Sequence, residues 1–351
     1  MKCEILNNNI KLDKPFRYFL GELYELPYSK VVITDNNGVV GAGEVAHAID
    51  INGELQEGAK YFAPYVENAL SSFLSVDSVA DISVIMENVR LLIAHNTGLM
   101  CGVEQALFSI LSQKKGENLT QLLGKNNDTT IFIQTTIPYL LSLDEYKNTI
   151  NKIVNENNPK HVKFKVGKNL ELELSAIQYL SEINKMVSIS VDANQAFDSA
   201  DKAITFSNAL LDLRVAWAEQ LLHKDNITGL RELKAKTKLP VMIDEGLHTP
   251  LEAEFYAKEK LADYFNIKLA KTGGILNALE IIRIAKEHNI PYMLGSMLQG
   301  KLGIEYNLGF ALSQDFVTND FFSYFSVEET KNLNYINPNL TVTSQSLYGE
   351  K

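Results

Sequence analysis

The chain has 351 residues, 46% of them hydrophobic, a net charge of −10 and only two cysteines, Cys3 and Cys101. That length supplies one large domain or a large domain with a smaller one. The acidic balance, without a Lys/Arg cluster or stacked aromatic series, excludes a nucleic-acid footprint. Two cysteines without paired spacing exclude a disulfide framework and a thiolate metal site. The absence of an apolar run of signal or membrane length leads to the expectation of a cytoplasmic protein with no membrane partner.

Residues 31–34 are a short apolar run, Val39-Val40 begin another, and the Asp35-Asn36-Asn37-Gly38 cluster between them signals a hairpin. Gly41-Ala42-Gly43-Glu44 follows and reads as a turn with a solvated Glu. From residue 55 to about 113 apolar residues recur at three- and four-residue spacing, as in Ile85-Val89-Leu92, which predicts several helices. Residues 1–125 are therefore expected to form an α+β capping unit.

Beyond Gly124 short apolar strands alternate with helix-length segments. The predicted strands are 130–137, 161–166, 187–193, 215–219, 241–244, 264–269, 291–295 and 321–325, about 25 residues apart. This is the rhythm of βα units in a parallel sheet, and eight units predict a closed (β/α)₈ barrel over residues 126–325. An open doubly wound sheet would want a Gly-rich phosphate turn after its first strand, and Thr135-Thr136-Ile137-Pro138 offers none. Residues 326–351 are expected to return to the capping unit.

Barrel enzymes place their chemistry at the C-terminal ends of the strands. The second predicted strand carries Lys163 and Lys165, which alternation puts on one face. Two ammonium groups so close repel each other, which favours a neutral amine able to act as a base. The next three strands end in Asp192, Glu219 and Asp244, and the sixth carries Lys268. Three converging carboxylates repel unless a hard cation lies among them, and an oxygen-only set suits Mg²⁺ or Mn²⁺. A divalent ion that binds a substrate carboxylate stabilises the enediolate formed when the adjacent carbon loses its proton. Lysines on the second and sixth strands face that carbon from opposite sides, so Lys165 and Lys268 are the acid/base candidates and Lys163 the electrostatic stabiliser. Lys271 reads as a loop residue and Glu245 as a supporting partner of a lysine, as does Asn194. His161 reads as structural, and the other histidines are scattered without ligand spacing.

The ordered set Lys-x-Lys, Asp-Ala-Asn, a strand-end Glu, Asp-Glu and Lys-x-x-Lys-x-Gly-Gly resembles the enolase superfamily, in the muconate lactonizing enzyme subgroup. The resemblance implies a modified (β/α)₈ TIM barrel with an α+β capping domain. It implies one Mg²⁺ per subunit on Asp192, Glu219 and Asp244, with Lys165 and Lys268 as bases. The seventh strand ends Gly295-Ser296-Met297 without a His, which sets the mandelate racemase branch aside. Within the subgroup, Gly295-Ser296-Met297-Leu298 resembles the dipeptide epimerases, with Thr135, Lys163, Ser296 and Met297 as substrate contacts. Those enzymes bind the dipeptide's ammonium group through an Asp-x-Asp on the eighth strand, where this chain offers Ser323-Tyr324-Phe325, with Asp320 nearby as a substitute.

Where Ala-Glu epimerases present an Arg, this chain has Gly21 after Arg17-Tyr18-Phe19-Leu20. A loop without a cation at that place, with Phe19 and Gly21 against the substrate, predicts hydrophobic or aromatic dipeptides. The partners expected are a dipeptide and further copies of the same chain. The competing expectations are an L-Ala-D/L-Glu epimerase, an N-acylamino acid racemase or o-succinylbenzoate synthase, a Schiff-base aldolase, and a non-catalytic metal-binding barrel.

Overall fold

The computed structural model describes residues 1–18, 21–49, 51–127, 129–321, 336 and 341–348. Strands β1 (Lys2–Tyr18), β2 (Gly21–Thr34) and β3 (Val40–Ala46) form an antiparallel sheet in that order. The predicted hairpin joins β2 to β3: Asp35 Oδ1 accepts the Asn37 and Val39 amides, and Gly38 adopts a φ of +82° that glycine takes at no steric cost. β1 was not among the predicted strands. Its Asn7-Asn8-Asn9 run has low strand propensity, and antiparallel pairing with the next strand, β2, supplies what the local pattern lacks.

The helices Ala63–Leu70 and Thr97–Lys115 pack on this sheet. A Cβ on Gly41 or Gly43 would stand 2.0 Å from the Ala106 carbonyl oxygen or 1.9 Å from that of Gly102, so glycine is what lets β3 lie against the helix backbone. Glu44 corrects the expectation of a solvated turn residue: it sits within β3 and is only 2% exposed.

After β4 (Thr130–Phe132) come the barrel strands β5 (Thr135–Ile137), β6 (His161–Lys165), β7 (Ser188–Asp192), β8 (Val215–Glu219), β9 (Val241–Ile243), β10 (Tyr264–Lys268), β11 (Tyr292–Gly295) and β12 (Asn319–Asp320). They are parallel, and their spatial order is their chain order. An Ile133–Asn319 bridge and the Gln134 amide, donating to the Asn319 carbonyl at 2.8 Å, bring the first strand onto the last. Helices connect successive strands. Outward residues such as Val162, Phe164, Ile189 and Val191 are fully buried, each contributing about 1.5–3 kcal/mol. No helix among the described residues is long and apolar enough to cross a membrane.

Two predicted strands are corrected. Residues 130–137 divide into β5, which joins the barrel, and β4, which pairs antiparallel with β13 (Thr341–Thr343), a partner some two hundred residues away that no local pattern announces. The last barrel strand is Asn319–Asp320, ahead of the predicted 321–325. Strand propensity is stronger in the aromatic run, but the ladder Leu294↔Asn319 and Gly295↔Asp320 sets the register and brings Asp320 to the strand end. Ser323, Tyr324 and Phe325 lie outside the described residues.

Candidate active site

Strand register assembles the site. Lys163 and Lys165 project from one face of β6, and the ladders pair Lys165 with Asp192 and Asp192 with Glu219, so these three lie in one row at the strand ends. Asp244 directly follows β9. The three carboxylates are 1%, 0% and 0% exposed. Lys268 ends β10, four strands from β6 in an eight-stranded ring, and therefore faces Lys165 across the barrel mouth.

Lys165 Nζ donates to Asp192 Oδ2 at 2.7 Å and to Asn194 Oδ1 at 2.6 Å, and Asn194 Nδ2 donates onward to Glu245 Oε1 at 3.1 Å. The left-handed backbone of Asn194, φ +42°, lets its amide reach Asp192 Oδ1 at 2.9 Å. Lys268 Nζ donates to Asp244 Oδ2 at 2.6 Å, and Lys271 Nζ occupies Asp244 Oδ1 at 2.5 Å. Lys163 donates to Asp320 and lies 3.2 Å from Asp192 and 3.4 Å from Glu219. Asn266 Nδ2 holds Glu219 Oε1 at 2.6 Å.

The electrostatics reverse one expectation. Burial alone would favour neutral Lys163, but the carboxylates of Asp320, Glu219 and Asp192 outweigh it and hold the ammonium form well above its ordinary range. Repulsion by a neighbouring lysine is the smaller effect. Lys268 is likewise raised, because Asp244, Glu245 and Glu219 overcome its burial. Lys271 goes the other way: its burial exceeds the attraction of Asp244. Burial would also raise Asp192, yet Lys165 and Lys163 bring it down to about 2. Glu219 is pushed up to about 8 by burial and by the charge of Asp192, and Glu245 to about 7 by burial and by Asp244.

Among the described residues no three acidic, His or Cys side chains stand in ligating geometry, each of the three carboxylates being engaged by an ammonium group. Their chemistry nonetheless fits a hard divalent cation. The donors are oxygen only, they are dry, and Asp192, Glu219 and Asp244 stand on three consecutive strand ends of one barrel.

Above these groups lies a cavity of about 320 Å³. Lys163, Lys165, Lys268, Asn194, Glu245, Ser296, Met297 and Asp320 line it from the barrel, and Leu23, Leu26, Ile49, Ile51 and Leu55 roof it from the N-terminal unit. Ser296 Oγ is buried and has no hydrogen-bond partner among the described residues. Asp192, Glu219 and Asp244 sit behind the lysines rather than on the wall. Thr135 does not line the cavity. It pairs with Val162, and alternation turns its neighbour Thr136, paired with Lys163, inward, where Thr136 Oγ1 reaches Asp320 at 3.3 Å. Phe19 lies outside the described residues, and Gly21 is described only as the first residue of β2, paired with Tyr18.

Lys271 is not the loop residue expected: it is 0% exposed in the short helix Leu269–Thr272. Asn266 and Thr136 are absent from the sequence expectations: strand alternation places Asn266 on the face of Lys268, and the β5–β6 ladder places Thr136 beside Lys163. The cap residues of the roof carry no local signal. His161 is structural, bonded to Ser190 at 2.8 Å and stacked on Trp217 at 4.6 Å.

A mostly parallel barrel with buried carboxylates and lysines at the carboxyl ends of its strands defines the class. Residues 145–341 match the family model described as enolase C-terminal domain-like, and the chain belongs to that family. The L-Ala-D/L-Glu epimerase of Bacillus subtilis (strain 168) is 30% identical over 315 residues, 88% of this chain and 84% of the relative. The D-Ala-D/L-Ala epimerase of Cytophaga hutchinsonii is 29% identical over 86% of this chain and 80% of the relative. A dipeptide epimerase from Cytophaga hutchinsonii, solved with Mg and the dipeptide D-Ala-L-Val, superposes with a TM-score of 0.82 at 26% identity, over 93% of this chain and 87% of that one. The chain thus stands among isomerases named for epimerising amino acid derivatives.

Proposed function

We propose that this protein is a Mg²⁺-dependent dipeptide epimerase that inverts the Cα of the C-terminal residue of L,L-dipeptides by two-base 1,1-proton transfer, with hydrophobic or aromatic dipeptides as preferred substrates. The observation that carries this reading is the placement of Lys165 and Lys268 on opposite sides of one cavity, with three buried carboxylates between their strands. Asp192, Glu219 and Asp244 would hold the divalent ion, with Mn²⁺ the alternative, and the bound ion supplies Lewis-acid stabilisation of charge developing on the substrate carboxylate.

Lys163, kept as an ammonium by its three carboxylate neighbours, adds fixed positive charge beside that carboxylate. Lys165 takes the Cα proton from one face. Lys268, which its surroundings favour in the protonated form, delivers one to the other face. The reverse reaction exchanges the two roles. Asp320, steadied by Lys163 and Thr136, receives the ammonium group of the dipeptide. Residues 1–125 act as the cap over the barrel of residues 126–325.

The side-chain preference rests on the roof. Leu23, Leu26, Ile49, Ile51 and Leu55 offer apolar surface, the described lining contains no arginine, and its three lysines already engage oxygens of the chain. A substrate Glu carboxylate desolvated there would lack a cation, which is costly.

The test is α-proton exchange in D₂O with Mg²⁺, read by mass spectrometry on pooled L-Ala-L-X and L-X-L-X dipeptides. Deuterium should enter the C-terminal residue of hydrophobic dipeptides and stop entering on chelation. Exchange confined to Ala-Glu would keep the chemistry and overturn the side-chain preference. No exchange in any dipeptide would overturn the epimerase reading and favour N-acyl amino acids or succinylbenzoate-type substrates.

A further inference from the structure

The long helices that follow β5 to β9 each carry their own N-terminal cap. Ser142, Asn169, Ser199, Asn226 and Thr249 accept a backbone amide of the first turn. The next two, Ile275–Glu287 and Lys301–Ser313, begin at Gly274 and Gly300 and have no side-chain cap of their own. Unpaired amides at a helix start need an acceptor, and the aligned peptide dipoles favour a negative one. Both helices receive it from the N-terminal unit.

Glu104, fully buried on Thr97–Lys115, accepts the Ile275 amide, the Leu276 amide at 3.2 Å and the Tyr306 hydroxyl at 3.0 Å. Glu44, on β3, accepts the Gly300 amide at 2.7 Å and the Gly303 amide at 2.9 Å. The fit at Gly274 is close: its φ is +122°, and a Cβ there would lie 2.2 Å from Glu104 Oε1. Met100, one turn before Glu104, would stand 3.1 Å from a Cβ on Gly273.

These two helices are distinguished by what precedes them. Gly273 and Gly274 end the short segment that begins at Lys268 and carries Lys271, so the chain between the Glu104 contact and the Lys268 ammonium is a single buried turn. Gly300 ends the segment that carries Ser296 and Met297 along the cavity wall. Neither Glu104 nor Glu44 is among the residues lining that cavity.

We propose that Glu104 and Glu44 are positioning residues, carboxylates lent by the N-terminal unit that set the two consecutive loops of the site, Glu104 fixing Lys268 and Lys271 and Glu44 fixing Ser296 and Met297. The proposal rests on the two-lysine reading given above. A glutamine in either place keeps the shape but turns an NH₂ donor toward amide donors, so at least one cap contact is lost and the loop shifts. A misplacement of about 1 Å far from the reacting atoms can cost on the order of 10²-fold in rate.

The experiment compares wild type, Glu104→Gln, Glu44→Gln and Lys268→Ala with Mg²⁺ in D₂O, using both epimers of one accepted hydrophobic dipeptide. The epimer silenced by Lys268→Ala marks the face that Lys268 serves. Glu104→Gln should slow exchange of that epimer by about tenfold more than exchange of the other, and Glu44→Gln should raise KM for both epimers alike. A cap that only stabilises the fold would lower the unfolding midpoint and slow both epimers equally, and that result overturns the proposal. If Glu104→Gln does not fold, Tyr306→Phe, which removes one donor from Glu104, should move the same epimer ratio in the same direction, and an unmoved ratio overturns the proposal. Absence of exchange in the wild-type protein is a separate outcome: it sinks the functional reading, and this proposal with it, before any variant is compared.

Discussion

The two lysines proposed to act on opposite faces of the substrate are held in unlike ways. Lys165 is tied to one carboxylate and one neutral amide, and that amide leads on to Glu245, so its position depends on a chain of adjustable polar contacts. Lys268 shares a single carboxylate, Asp244, with a second buried ammonium, Lys271, and its surroundings are charge against charge in a dry site. Equivalent chemistry on two faces does not require equivalent environments. The β6 side is set by hydrogen-bond direction and the β10 side by buried charge, so damage on the first should appear mainly in rate and damage on the second should also appear strongly in stability.

The largest expected effect tests whether both sides are needed. Lys165→Ala and Lys268→Ala should each lower net epimerisation by at least about 10² to 10⁴-fold, the usual worth of a positioned general base, as measured by product formation. A variant that retained more than a tenth of the wild-type rate would break the comparison. Next comes Lys271→Met, which leaves one oxygen of buried Asp244 without its ammonium partner and should cost about 3–5 kcal/mol in urea unfolding. Asn194→Ala should cost less in unfolding, about 1–2 kcal/mol for the amide donor lost to buried Glu245 and for the left-handed backbone, while slowing by about tenfold the exchange of the epimer that Lys165 serves, since a displaced base loses its attack geometry. Equal stability losses in these two variants would contradict the contrast between the sides.

A further expected effect, on pH dependence alone, belongs to neither side and gives a baseline. Burial holds His161 near pKa 3 and His47 and His248 near 4, below the ordinary 6.5. Between about pH 4 and 6.5 the unfolded chain binds protons that these folded histidines do not, so stability rises with pH through that window and is lost as pH falls. His161→Gln should reduce the difference in unfolding free energy between pH 7 and pH 5 by about 2 kcal/mol. An unchanged difference would contradict the neutral, buried state of His161.

The strand-end charges were the legible part of this molecule. Lys163, Lys165, Asp192, Glu219, Asp244 and Lys268 stand out because each lies within or at the end of a short apolar run, and the period-two geometry of a strand then dictates which of them share a face. The same rule, applied one step further, would have found Asn266 on the face of Lys268, whereas choosing Thr136 over Thr135 needs the β5–β6 register that only the folded sheet supplies. Lys271 was misplaced because Leu269–Thr272 is a single helical turn, too short for periodicity to register. Glu44 and Glu104 were illegible for a different reason. Their partners are backbone amides some 170 or more residues away, and backbone amides leave no signature in a sequence. The register of β12 failed where propensity and tertiary pairing disagree, and pairing decided it.

The most direct test of the two-face account is a crossed exchange experiment. Lys165→Ala and Lys268→Ala are each incubated with Mg²⁺ in D₂O with each C-terminal epimer of a hydrophobic dipeptide that the wild-type protein accepts, and deuterium at the C-terminal α-carbon is followed by mass spectrometry. The account predicts that each variant loses exchange of one epimer, retains exchange of the other without inversion, and that the two variants lose opposite epimers. Loss of the same epimer in both variants, or equal loss of both epimers in either one, would contradict it.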